Sequence, residues 1–458
     1  MTDRDYNHSR PLDVHRSSNY SEVNPFIDEI YNNHIKDVSE NANIQKKHLK
    51  LVLLDLFIAW IDDPELNIGV HMHEGAYSDG TIFNKGKSRY NELNIKVSTI
   101  KVVHRLRDLG FIGFKKGYEG SVEYAPRLSR IWGKDKLIKL FKDAAFSYFD
   151  INYSKDREVV ILRNEDKVDL EYEDNDTTEA MRELLHKYNE LLRTTFIDIP
   201  ELDIPRIELK EKKKRRRRNK PVFVNISHHD KFTRRIFNNG SFEEGGRFYG
   251  GWWQTIPSPY RALITIDGSR TNEFDFGKLH PTMMYAEANA TCEGDAYDIG
   301  IDTKHRDTIK ELFNAMVQIQ EFTDNPPRIK FSQTGKTWKQ FRDMILKRHE
   351  PIKHMFFCGM GNNLQYRDSI IAEQVMLHFA KNDIPVLPVH DSFIITAGLF
   401  IDLLEVMEKE FKKQIGVPID IRSAEKSVRV RTRDNEDLVG YIINEMEEFS
   451  DWTARNPL

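Results

Sequence analysis

Apolar residues recur at helical spacing over 47–61 and again over 96–109, where Val97-Ser98-Thr99 supplies a start and Gly110 a stop. Phe111-Ile-Gly-Phe and Ser121-Val-Glu-Tyr-Ala then read as two short strands about Tyr118-Glu-Gly. Residues 1–46 are polar, rich in Asn, Ser and His, with little periodicity, and are expected to form a flexible arm. Over 133–238 the pattern is of amphipathic helices, clearest over 178–193, which predicts a helical connector. In the final part, 239–458, two apolar strands each end on a carboxylate. Leu263-Ile-Thr-Ile-Asp-Gly-Ser-Arg-Thr-Asn-Glu-Phe reads as a hairpin that delivers Asp275, and Ile384-Pro-Val-Leu-Pro-Val leads to Asp391. An amphipathic helix over 403–413 and the segment Val417-Pro-Ile-Asp-Ile follow. The expected class is a multi-domain α/β (α+β) chain.

A chain of 458 residues has room for two to four domains. Its formal net charge of −4 conceals clustering. An acidic stretch runs from Glu165 to Asp176. A basic run of Lys212, Lys213, Lys214, Arg215, Arg216, Arg217 and Arg218 follows it. Seven consecutive cations cannot pack into a core, so they form a solvated segment that attracts phosphate. Contact with a nucleic-acid backbone would bring affinity without sequence choice, steeply weakened by salt. Nuclear targeting is the competing explanation. Only two cysteines, Cys292 and Cys358, argue against a disulfide scaffold, and no Cys/His spacing suggests zinc. The polar first residues do not resemble a secretory signal, and the longest apolar stretch, Leu51 to Trp60, is too short to span a bilayer. A soluble chain without membrane partners is expected, cytoplasmic or nucleoid-associated, with nuclear targeting kept open by the basic run.

Helix, turn, helix beginning Ser-Thr, and then a β-hairpin is an order that resembles a winged helix-turn-helix over 47–132. In that motif the second helix enters the DNA major groove, which implies contacts from Lys96, Ser98, Thr99, Lys101, His104 and Arg105, with Lys115 and Lys116 on the wing. A winged helix used for protein contacts, or an ordinary helical domain, is the alternative.

Asp275 and Asp391 matter chemically only if they meet. Two strand-borne carboxylates on one sheet can hold a pair of Mg²⁺ ions about 3.5–4 Å apart, an arrangement suited to in-line phosphoryl transfer. Mg²⁺ needs few protein ligands because substrate phosphates complete its shell. Taken singly, acids at strand ends are ordinary surface residues. Strand alternation puts Glu273 on the same face as Asp275, as a candidate third ligand, with Glu287 less compelling. Arg306-x3-Lys310-x3-Asn314-x3-Gln318 places four polar groups on one helical face. A forked guanidinium and a point-charge ammonium there suit a triphosphate, although a solvated helix face gives the same pattern.

From about 240 to 422 several motifs stand in an order that resembles the palm and fingers of family A DNA polymerases and the single-subunit phage-type RNA polymerases. Gly246-Arg247, Gln254-Thr-Ile-Pro257 and Arg261 are similar to the segment before the first catalytic aspartate. The resemblance implies that Arg247, Gln254 and Arg261 contact primer–template, and that Asp275 binds metal together with the Phe276 carbonyl. Arg306 and Lys310 would hold the incoming triphosphate, with Asn314 and Gln318 on the same helix. Gln365, in Asn363-Leu-Gln-Tyr-Arg-Asp-Ser, would lie near the primer end. Asp391, in Val389-His390-Asp391-Ser392, would be the second metal ligand, with His390 at the primer terminus. Asp275, Asp391 and Lys310 become the implied catalytic set, with two Mg²⁺ as cofactor and Mn²⁺ able to substitute.

Three departures stand out. Ser392 replaces the glutamate usual in family A, as in the phage-type RNA polymerases. Gln318 replaces the aromatic ring that normally ends the fingers helix. His280, five positions after Asp275, stands where family B enzymes keep a tyrosine that blocks a ribose 2′-hydroxyl, so it favours dNTPs; a packed core histidine is the alternative. Trp252 and Trp253 are either base-stacking platforms or core. The Asp-x-Glu pairs Asp63-Pro-Glu65 and Asp169-Leu-Glu171 sit beside a proline and in the acidic stretch, without matching later aspartates, so no proofreading nuclease is expected. The implied activity is primer extension with dNTPs on DNA. An RNA polymerase or primase, a template-independent transferase, and a DNA-binding initiator or regulator with an inactive palm remain open.

Overall fold

Apolar residues occupy every side of the helix Ala42–Asp62, which makes it a core element rather than a surface one. Leu49, Val52, Leu53, Leu54, Phe57 and Ile58 are all buried, and Asn41 caps the start by accepting from the amides of Asn43 and Ile44. These features come from a computed structural model that describes residues 4–37, 41–78, 88–118, 127–209, 222–329, 331 and 334–424. The chain is mixed α/β, with several sheets and helices. Among the described residues no helix is long and apolar enough to cross a membrane.

Residues 9–35 are not the flexible arm their composition suggests. Ser9–Pro11 pairs in parallel with the strand Asn67–Val70, and the helix Val23–Ile30 buries Val23, Ile27 and Ile30 against the helix Ala42–Asp62. The physical reason is Asp55, wholly buried in that helix. Arg10 grips it bidentately at 2.8 Å, Arg16 adds a bond at 3.3 Å, and the Asp13 amide donates at 3.0 Å. A buried carboxylate requires such partners, and the polar arm supplies them. The helix Ser98–Asp108 stands near its expected place and ends at Gly110 (φ 75). The strand Ile112–Lys115 pairs with Ser129–Gly133 in a sheet completed by Asn67–Val70 and Ser9–Pro11. The second strand expected around 121–125 lies outside the described residues.

The region 133–238 is not a separable helical connector. Among its described residues only Asp135–Lys142 and Asp176–Arg193 are α-helices. Val160–Arg163 runs parallel to Arg234–Asn238, which pairs with Ser241–Tyr249, so a boundary at 238 cuts a hairpin. Ile197–Asp198 reaches further and closes the edge of the sheet that carries Asp275.

That sheet has the order Leu387–Val389, Ser392–Thr396, Ser269–Phe276, Thr265–Ile266, Ile197–Asp198, with Ile421–Ser423 added beside the end of Ser269–Phe276. The helices Leu279–Glu287, Gly361–Ala380 and Phe400–Ile415 pack with it into one hydrophobic core. Trp252 and Trp253 belong to this core and are fully buried, Trp253 donating to the Pro388 carbonyl at 3.2 Å, so they are not base-stacking platforms.

Gly246 sets up the next residue, Arg247. It lies at φ 72, beside a register shift in the Arg234–Asn238/Ser241–Tyr249 pairing, and a Cβ there would stand 2.8 Å from the Phe237 ring and 2.9 Å from Ser369 Oγ. Gly268 has a similar φ of 70 but open space around it. Gly246→Ala should therefore cost about 2–4 kcal/mol and Gly268→Ala about 1–2 kcal/mol in urea denaturation, the difference being the steric clash.

Candidate active site

The strand Ser269–Phe276 and the strand Ser392–Thr396 are antiparallel neighbours in the register Thr271↔Thr396 to Asp275↔Ser392. A two-residue loop, His390-Asp391, joins Ser392–Thr396 to Leu387–Val389. Its position is locked from both sides, because the Phe276 amide donates to the Asp391 carbonyl at 3.3 Å. Two aspartates distant in sequence are thereby brought together at one end of one sheet. His390 adopts φ 60, a left-handed conformation costly for a non-glycine residue, which concentrates strain at this loop.

Burial and like charge together set the electrostatics of Asp275. Burial raises the Asp275 pKa, the Asp391 carboxylate raises it further, and Lys310 and Arg422 pull it down. Lys310 is exposed on the helix Arg306–Gln318, whose opposite face buries Ile309, Leu312, Phe313 and Met316. Among the described residues it forms no ion pair. Arg422, unremarked in the sequence reading, stands opposite Asp275 in the register of Ile421–Ser423. Its signal was its place next to Val417-Pro-Ile-Asp-Ile.

Glu273 is not offered as a third ligand. It is buried, accepts from Arg261 Nε at 2.8 Å and from Ser392 Oγ at 2.6 Å, and is fully engaged. This also gives Ser392 a structural role and ties Arg261 inward, which corrects the expectation that Arg261 reaches nucleic acid. Gln254 is corrected likewise: its amide is spent on the main chain of Gly250, Phe248 and Pro388. Glu287 pairs with Arg367 at 2.6 Å.

Arg247 and His280 converge on a residue the sequence reading missed. Asp368 lies on the core side of the helix Gly361–Ala380 and is 4% exposed. Arg247 Nε donates to it at 3.0 Å, Arg247 Nη2 makes a second bond, and His280 Nε2 lies 2.9 Å from it. Burial opposes the charge on Arg247, yet the hydrogen bonds and field of Asp368 outweigh it and raise the Arg247 pKa. Both side chains are thus held rather than free, and a lone polar residue at a helical core position was the available signal. His390 packs edge-on against Tyr249, its Nδ1 buried and, among the described residues, without a partner; burial first, then Arg247, lowers its pKa.

Arg306 is bound at both ends of its fork to Asp295, at 2.5 and 3.0 Å, and stacks over Tyr297. The hydrogen bonds to Asp295 raise its pKa and hold Asp295 low. Asn314 is exposed. Gln318 crosses the start of the helix Gly361–Ala380, where a Cβ on Gly361 would meet its Oε1 at 1.9 Å. Gln365 is half-buried, and the Phe276 side chain is buried against Phe393 and Phe411, so only its main chain can face the acids. Away from this site, Lys101 is exposed and Arg105 donates to the His34 carbonyl at 3.1 Å. The run Lys212 to Arg218 lies outside the described residues.

Among the described residues no group of three or more His, Cys, Asp or Glu is arranged to hold a metal ion. The donor set here is two carboxylates, with the Asp391 charge adding to the burial that raises the Asp275 pKa, which suits a hard divalent cation completed by substrate oxygens.

No family model matches the chain, and no curated protein does. Among solved structures, the POL domain of Pol1 from M. smegmatis in complex with DNA primer-template and dNTP is similar over 42% of this chain and 47% of that one, at 10% identity and a TM-score of 0.31. The chain thus matches about half the length of that domain, and a likeness at this level does not define a fold.

Two outcomes follow from the charges. Because the folded-state pKa of Asp275 is raised, its ionisation destabilises the fold; the penalty is full above the raised value and vanishes below the ordinary 3.8. Asp275→Asn should then raise the thermal midpoint at pH 7, with the gain shrinking as pH falls toward 3.8. Asp368→Ala leaves Arg247 buried without its partner and should cost about 3–5 kcal/mol in chemical denaturation.

Proposed function

We propose that the C-terminal half is a polymerase-type nucleotidyltransferase that extends a primer 3′ end with dNTPs on a DNA template, without proofreading, in replication or repair of a mobile element, phage or plasmid. The observation that carries this reading is the meeting of Asp275 and Asp391 across one strand pairing, with Lys310 in their field. The ordered motifs around them support it. Asp275, Asp391 and the Phe276 carbonyl would hold two Mg²⁺, which when bound supply Lewis-acid activation of the primer hydroxyl and neutralise the triphosphate.

The chain's own residues do the rest. Lys310 holds a proton at Nζ for the departing pyrophosphate oxygen. Arg306 already makes a bidentate bond to Asp295, and its fork can exchange that carboxylate for a phosphate of the same geometry. His280, fixed through Asp368, presents a rigid ring five residues from Asp275 and acts as the gate against a ribose 2′-hydroxyl. Gln365 and His390 line the primer side. The helix Ser98–Asp108, with Lys101 and Arg105, and the basic run at 212–218 add contacts to DNA in the manner of a winged helix and a backbone-tracking segment.

The test offers primed template, unprimed template and primer alone, each with dNTPs or rNTPs and Mg²⁺. Extension of primed template with dNTPs is expected, lost in Asp391→Ala and lowered about 10²-fold in Lys310→Ala. Absence of incorporation by the wild type, or equal incorporation by Asp391→Ala, overturns the reading; incorporation of rNTPs without a primer replaces it with a primase.

A further inference from the structure

A cavity of about 1200 Å³ lies between the N-terminal segment and the strands around Phe223 and Arg234, and none of the palm residues discussed above lines it. Six arginines do: Arg10, Arg16, Arg127, Arg130, Arg157 and Arg234. Their only acidic company in the lining is Asp13, Asp62 and Asp230, with Asp55 behind Arg10 and Arg16. Among the described residues Arg127, Arg130, Arg157 and Arg234 form no ion pair. Arg127 donates to Asn7 Oδ1, and Arg130 to the carbonyls of Tyr6 and Leu128.

The hydrogen-bond accounting is also incomplete. Arg16 is only 4% exposed, yet among the described residues its Nη1 has no acceptor, and the buried Nε atoms of Arg157 and Arg234 have none either. Buried donors are paired in nearly all folded proteins, whereas among the described residues these three guanidinium N–H groups beside one cavity find no acceptor. Burial, then Arg157 and Arg163, lowers the Arg234 pKa to about 10, while burial raises Asp62 to about 6 and raises Asp230 as well. Arg10 pairs with Asp55 and Arg16 with both Asp55 and Asp13, so the positive excess rests on the other four arginines, and burial opposes ionisation of Asp62 and Asp230. Phe223 adds an aromatic wall.

We propose that this cavity binds a phosphate-bearing ligand of nucleotide size, its phosphates accepting from Arg16, Arg157 and Arg234. Planar forks with free N–H groups match phosphate oxygens, and the volume exceeds what a single phosphate fills. Two sources share this chemistry, a free nucleotide and the terminal phosphate of a nucleic-acid strand. The proposal does not rest on the polymerase reading, since its residues are separate and no divalent cation is invoked.

The experiment measures binding to the full chain by calorimetry in EDTA, using tripolyphosphate, dATP, and a short single-stranded oligodeoxynucleotide with or without a 5′-phosphate. Arg157→Gln/Arg234→Gln should bind about ten-fold or more weakly than the wild type. Tighter binding of dATP than of tripolyphosphate identifies a nucleotide; dependence on the 5′-phosphate identifies a strand end. In parallel, phenylglyoxal modification of Arg157 and Arg234 in the wild type should be slowed by the bound species, a readout that decides the matter even if the double variant does not fold. No binding by any probe, undiminished binding by the double variant, or unprotected arginines would each overturn the proposal.

Discussion

Two carboxylates held side by side against their mutual repulsion are the constraint around which the C-terminal half is arranged. The register between Ser269–Phe276 and Ser392–Thr396 enforces it, since a one-residue slip would turn Asp275 to the other face of the sheet. Several contacts hold that register. Phe276 and Phe393 pack in the core, Glu273 binds Ser392 across the pairing, and the Phe276 amide takes the Asp391 carbonyl. Lys310 and Arg422 offset part of the negative field without pairing it away. An acid pair stabilised elsewhere and left uncompensated locally is what a cation-dependent site requires.

The same device recurs at three places: a buried carboxylate joins segments that are far apart in the chain. Asp55 draws in Arg10 and Arg16 and so converts a polar N-terminal stretch into part of a domain. Glu273 joins Arg261 to Ser392. Asp368 joins Arg247 to His280 beside the acid pair. Each such group is costly to bury and costly to leave unpaired, so it fixes one arrangement of its partners. Arg235 works from the opposite sign, bonding the Gly246 carbonyl, Ser369 and Glu373, and it ties the Gly246–Arg247 strand to the helix Gly361–Ala380.

These buried networks also explain what could be read from sequence. The strands that end on Asp275 and Asp391, the helix Arg306–Gln318 and the helix Ser98–Asp108 were legible because apolar periodicity defines them locally. The polar face of Arg306, Lys310, Asn314 and Gln318 was visible for the same reason. The partners were not. Nothing in the spacing of Arg247, His280 and Asp368 signals that they meet, and Asp295 gives no local sign of its bond to Arg306. The N-terminal arm was misjudged because composition counts polar residues as solvated, whereas Arg10 and Arg16 are drawn inward by a charge on another helix. Likewise, Val160–Arg163 is a short apolar run between polar stretches, and only its parallel pairing with Arg234–Asn238 makes it a strand.

The central claim is that Asp275 and Asp391 form one divalent-cation site. Titration of the full chain with Mn²⁺, followed by electron paramagnetic resonance in the absence of nucleotide and nucleic acid, tests it directly. Saturable Mn²⁺ binding that Mg²⁺ displaces is predicted for the wild type, with loss in both Asp275→Asn and Asp391→Asn while Glu287→Gln binds as the wild type does. Equal binding by wild type and the two aspartate variants would contradict the account.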